Sequence, residues 1–186
     1  MNLQEQYVAF TTIVRKEIKR YLRIWTQTLL PSAITMSLYF VIFGTLIGSR
    51  IGEMGGFTYM EFVVPGLIMM AIVTNSYSNV VSSFFGAKFS GSVEELLVSP
   101  VSNVVILMGY VVGGVSRGLL VAVVVTLVSL FFTDLTIHSY FIVVVVVLMT
   151  STLFALAGFI NAVYANSFDD ISIIPTFVLT PLIYLG

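Results

Sequence analysis

The chain has 186 residues, 58% of them hydrophobic and 9% charged, with a formal net charge of −1. Soluble domains carry about 25% charged residues, so this composition excludes a water-exposed globular surface and marks an integral membrane protein. With no cysteine, a disulfide framework and a thiolate metal site are excluded too, and a single histidine outside any HExxH pattern argues against a histidine-based metal centre.

The first element is amphipathic. Tyr7, Phe10, Val14, Ile18, Tyr21 and Trp25 recur at three- and four-residue steps, which places them on one helical face. Arg15, Lys16, Lys19, Arg20 and Arg23 project mostly from the other side. The pattern predicts a helix over about residues 4–25 in the membrane interface, aromatics at the acyl boundary and cations among lipid phosphates. A cleavable signal peptide does not fit, because the apolar run starts late, is long and lacks a small-residue cleavage site.

Four apolar stretches follow, each enough for the roughly 20 helical residues that cross a bilayer core. They predict spans at about 27–48, 62–86, 104–132 and 140–165, the third interrupted only by Arg117. A fifth begins near 171 and is still apolar at 186, which reads as an incomplete span in a chain that lacks a C-terminal portion. Apolar runs of this length are helical; a closed β-barrel would show strands of about ten residues with alternating polarity. The fold class expected is an all-α polytopic membrane protein.

Lys and Arg set the orientation. Five precede the first span and Lys88 follows the second, whereas Arg50 alone follows the first and residues 134–138 have none. The N-terminus and the loop after the second span are therefore placed in the cytoplasm. That loop is Gly91-Ser92-Val93-Glu94-Glu95-Leu96-Leu97-Val98-Ser99-Pro100. It has adjacent carboxylates, its own hydrophobic face and a terminating proline, which suits a short helix at about 91–100 that docks onto something.

Arg117 sits near the middle of the third span, where a cation costs about 2.5–3.5 kcal/mol on insertion scales. No carboxylate occurs within an apolar stretch, so its partners are polar groups, carbonyls, water or substrate, with Asn75, Asn79 and Asn161 as candidates. Two roles stay open: lining a translocation route for anionic groups, or a structural arginine bonded to carbonyls at a helix break beside Gly118. Gly44-x-x-x-Gly48 and Gly109-x-x-x-Gly113 allow close helix approach. The second suits packing within one subunit. Asp169-Asp170 reads as a cap for the fifth span.

The run Phe89-Ser90 through Val101-Ser102 around the Glu-Glu-Leu-Leu-Val-Ser-Pro string resembles the signature of the ABC-2 type exporter permeases of the bacterial inner membrane. Phe62-Val63-Val64-Pro65-Gly66 and Pro175-Thr176-Phe177-Val178-Leu179-Thr180-Pro181-Leu182 match the same family. The resemblance implies six spans and one half of an ATP-driven exporter, paired with a second permease copy, a homodimer, and with cytoplasmic ATPase subunits. No Gly-x-x-x-x-Gly-Lys-Ser/Thr loop occurs here, so ATP and Mg would sit on the partner ATPase, with no cofactor bound directly. It further implies that Val93, Glu94, Glu95, Leu96 and Leu97 form a coupling helix in an ATPase groove, and that Gly44 and Gly48 serve the dimer. Arg117, Asn75 and Asn79 are the candidate translocation path. An ion-coupled secondary transporter would show an intramembrane acid or an inverted repeat. Neither is visible, and that class and a non-transport membrane scaffold stand as the alternatives.

Overall fold

The computed structural model describes residues 2–51, 53–54, 56–134 and 137–185; the last residue of the expected fifth span, Gly186, lies outside them. Helix α1 spans Leu3–Arg23, started by Asn2, whose N–H donates to Glu5 Oε2 at 2.9 Å. The turn α2 (Trp25–Thr28), α3 (Leu30–Val41) and a π-helical segment (Ile42–Ile47) continue it, and Trp25–Gly44 is long and apolar enough to cross a membrane. Pro31 falls in the first turn of α3, where its missing N–H costs nothing.

Beyond α4 (Gly48–Ile51), β1 (Glu53–Met54) and β2 (Phe57–Thr58) make a two-residue antiparallel ladder that the sequence reading lacks. It delivers the chain to Thr58, which caps α5 (Tyr59–Phe89) by accepting from Glu61 N. At 31 residues α5 is about 46 Å long, well beyond a hydrocarbon core of roughly 30 Å. Helices α6 (Ser92–Val98), α7 (Asn103–Ser129) and α8 (Tyr140–Tyr164) follow. The chain then forms α9 (Asp170–Ile174), a second π-helical segment (Pro175–Leu179) and α10 (Thr180–Leu185).

Three helices, α5, α7 and α8, form the core, with Tyr77, Val80, Phe84, Tyr110, Val111 and Ala155 at its centre. Small residues let them close: a Cβ on Gly114 would lie 2.5 Å from Val80 Cγ2, and one on Gly158 would lie 2.6 Å from the Tyr77 carbonyl oxygen. Phe40, Val64, Ala71, Val121 and Val125 make a second cluster that holds α3 against α5 and α7 at the other end. Outward faces stay apolar, as at Leu38, Phe141 and Met149. Such patches need lipid to cover them.

Helix α1 does not lie across the bundle. Gln6 Oε1 accepts from Ser102 N, Ile13 packs on Gly109, Glu17 packs on Gly113, and Tyr21 OH donates to Ser116 Oγ. The offset stays near 96 residues throughout, so α1 runs parallel to α7 and in register with it. From Ser102 to Ser116 that is about 21 Å of shared length. The buried face of α1 is Ile13, Glu17 and Tyr21, while Tyr7 and Trp25 of the expected aromatic face are exposed. Sequence periodicity points to the more apolar stripe, but close backbone approach selects the stripe that fits the two glycines.

Candidate functional site

Two regions concern function: the short helix α6 and a polar layer where α1, α5 and α7 meet. Helix α6 follows a sharp reversal at Gly91, whose φ of 77° is left-handed and favours glycine. Glu94 and Glu95 fall in its first turn, where they complement the helix dipole. The helix divides its own side chains. Val93 is 8% exposed and Leu96 is half-buried, both packed on the core of the bundle. Leu97 is 59% and Val98 87% exposed, and both glutamates face outward. Of the five residues expected to enter an ATPase groove, Val93 and Leu96 are thus spent on holding α6 to the bundle. Leu97, Glu94 and Glu95 remain free to meet a partner, and Val98, absent from the sequence expectation, joins them.

The polar layer is built from both arginines of the membrane-facing interior. Arg117 Nη2 donates to Asn75 Oδ1 at 3.0 Å and to the Thr28 carbonyl at 3.3 Å. Asn75 in turn donates to Ser32 Oγ at 3.1 Å and to the Ala71 carbonyl at 2.9 Å. The expected break beside Gly118 is not there; α7 is continuous, and Gly118 instead leaves room for Ser76. One helical turn along α5, Asn79 is engaged by a different cation. Arg20 Nη2 donates to Asn79 Oδ1 at 2.9 Å and to its carbonyl at 3.0 Å. Asn161 belongs to neither arginine: it donates to Tyr77 OH at 2.7 Å.

Glu17 is the residue that sequence reasoning missed. Although it stands among the cations of α1, its side chain is completely buried, accepting from Ser83 Oγ at 2.6 Å and pairing with Arg20 at 3.3 Å. An acid set between Lys16 and Lys19 in the basic half of the helix, on the stripe Ile13, Glu17, Tyr21, is the signal that would have found it. The layer is left with spare donors. Among the described residues, the buried Arg20 Nε, Arg117 Nε, Asn79 Nδ2 and Ser76 Oγ have no hydrogen-bond partner. Each such group costs about 1–3 kcal/mol unless an acceptor reaches it.

Of the glycine pair expected at a dimer contact, Gly44 faces α5 within the chain. A Cβ on Gly44 would lie 3.1 Å from Met60 Sδ, so that glycine serves packing on α5, whereas one on Gly48 would meet the Phe43 carbonyl first, at 3.1 Å, and the Tyr59 ring only at an ordinary 3.6 Å.

The family model described as "ABC-2 type transporter" matches residues 8–186. The chain belongs to that family. Inner membrane transport permease YadH of Escherichia coli (strain K12) is 61% identical over 180 residues, which is 97% of this chain and 70% of the relative. The protein of the same name from Shigella flexneri matches equally. No solved structure matches. This protein is therefore a membrane permease subunit of an ABC transporter and a multi-pass protein of the inner membrane. Among the described residues of the permease, four helices are long and apolar enough to be spans of such a subunit.

Proposed function

We propose that the permease is one half of an exporter driven by separate cytoplasmic ATPase subunits, which hold the ATP and Mg and grip α6 from outside the membrane. The observation that carries this is the two-sidedness of α6, anchored inward by Val93 and Leu96 and offering Glu94, Glu95, Leu97 and Val98 outward. A short helix with an apolar patch and acids near its start suits a groove with basic walls. The cytoplasmic side is assigned to α6 and the N-terminus because Arg15, Lys16, Lys19 and Arg23 are exposed there and Lys88 lies at the same end of α5.

A second copy of the chain completes the transporter, meeting the first across exposed faces such as Ile34 and Leu38 of α3 rather than through the notch at Gly44, which Met60 fills. The translocation path passes the layer of Arg117, Asn75 and Asn79, whose unmatched donors suit anionic or acceptor-rich groups. Ion coupling finds less support, since Glu17 is tied to Arg20 and Ser83.

The test is Leu97→Asp. Membrane insertion should be normal, co-purification of the ATPase should fall, and ATP-dependent export from cells or into inverted vesicles should fall with it. Unchanged association would sink the reading, as would transport driven by a proton gradient alone.

A further inference from the structure

A cleft of about 540 Å³ lies between α6 and the ends of α5, α7 and α8. That volume is within the range of small-molecule sites, roughly 300–1,000 Å³. Its chemistry is graded along the bundle. At the helix ends stand Lys88, Glu94 and Asn103. Between about 4 and 10 Å deeper along α7, from Ile106 and Leu107 to the Tyr110 ring, the lining is apolar and is joined by Phe84 and Phe159. The rings of Phe84 and Phe159 are 4.4 Å apart and that of Tyr110 meets Phe84 edge-on at 5.2 Å, so the floor is firm.

A polar rim over an apolar floor, at the end of membrane-spanning helices, fits an amphiphile that inserts a chain and keeps its head at the surface. The rim also says which head. Lys88 Nζ donates to the carbonyls of Val163 at 2.8 Å and Ala165 at 2.6 Å, which fixes the ammonium at the C-terminal end of α8. An ammonium has three donors, so one is left for a phosphate. Glu94 brings the opposite charge to the same rim. A headgroup with a phosphate and an amine satisfies both, whereas a purely anionic one would meet Lys88 but be repelled by Glu94.

We infer that this cleft holds one acyl chain of a zwitterionic, amine-bearing phospholipid, its phosphate at Lys88 and its amine at Glu94. The lipid is a resident of the leaflet, wedged between α6 and the bundle, with Glu94 and Leu97, which the proposed ATPase contact also uses, at the mouth of the cleft. It comes from the cytoplasmic leaflet, a detail that rests on the orientation proposed above.

The experiment uses the full permease in nanodiscs containing phosphatidylethanolamine and phosphatidylglycerol, each supplied in turn with a photoactivatable acyl chain, with adducts mapped by peptide mass spectrometry. The phosphatidylethanolamine probe should label residues 84–97 and 106–110 about three- to fivefold more than the phosphatidylglycerol probe, a preference that one partly exposed ion pair sustains. Glu94→Gln should erase that preference, and Leu107→Trp, which fills the floor, should remove labelling in the cleft while leaving the exposed face of α8 at Phe141 labelled. Equal labelling by both probes in the unmodified protein would overturn the inference, as would labelling indifferent to Leu107→Trp. If Leu107→Trp does not fold, the Glu94→Gln arm decides alone. Adducts that vanish on ATP turnover would identify a transported substrate and overturn a resident lipid. A Ser90→Cys thiol that reacts from outside intact cells would refute the orientation and leave the lipid site to stand in the other leaflet.

Discussion

Replacing Gly113 by alanine adds one methyl group at a point of the α1–α7 seam as tight as that at Gly109. The new Cβ would lie 2.6 Å from Glu17 Cβ and 2.8 Å from its Cγ. Glu17 Cβ is fixed to the backbone and no rotamer relieves it, so α1 must retreat by about 1 Å to regain ordinary contact. That movement strains the Ser83–Glu17 hydrogen bond and the Arg20 contacts to Asn79. With an atom that no rotamer can move in the way, overpacking costs about 2–3 kcal/mol, the upper part of its usual range, against a gain of about 1 kcal/mol for removing a helical glycine. The net loss, about 1–2 kcal/mol, corresponds to a melting temperature lower by about 2–8 °C for a chain of this size. Gly86→Ala is the matched control, because nothing lies within 4 Å of its added Cβ; its melting temperature should hold or rise. Both can be read in one detergent from the fluorescence of Trp25, the single tryptophan, which adjoins the end of α1. Equal midpoints for the two variants would refute the seam.

Arg117→Leu should leave the permease inserted and abolish export if the layer is the path; loss of assembly instead would make the arginine structural, which a pull-down of the second copy and the ATPase distinguishes. Glu17→Gln keeps an acceptor for Ser83 but removes the charge facing Arg20, so it should lower stability by more than the roughly 1 kcal/mol of an exposed pair, though less than Glu17→Leu, which also leaves Ser83 without an acceptor while Arg20 keeps those of Asn79. Asp170 accepts from the backbone N–H groups of Asn166 and Ser167, and these bonds, with the Ser167 hydroxyl, hold its carboxyl below its ordinary value. A depressed carboxylate stabilises the fold above its ordinary pKa and loses that contribution as pH falls through the folded one. Asp170→Asn should therefore melt lower than the unmodified protein at pH 6, with the gap closing in the acid range below the ordinary carboxylate value.

What was legible in the sequence was what hydrophobicity and chain punctuation encode. Long uncharged runs announced helices, and Gly91 with Pro100 bracketed α6. Inside the membrane every stripe of a helix is apolar, so hydrophobicity no longer says which stripe meets which neighbour. Gly109-x-x-x-Gly113 declared that some helix comes close, but not that it is α1. Glu17 hid for a related reason: it looked like one more charge on a charged face, and only its pairing with Ser83, 66 residues away, separates it from Arg15 and Lys16. Val93 and Leu97 are interchangeable apolar residues in the sequence, yet the bend at Gly91 turns one inward and the other outward.

The constant offset between α1 and α7 has a consequence in time. A ribosome adding about 5–20 residues per second emits the Gly109–Gly113 groove about 5–20 s after Ile13 and Glu17. For that interval α1 has no groove to enter, and Glu17 must remain in contact with water or headgroups. Its four outward cations hold it at the bilayer surface meanwhile. The amphipathic pattern and the buried seam thus belong to successive stages of one helix's life, first as a float on the membrane and then as a part of the bundle.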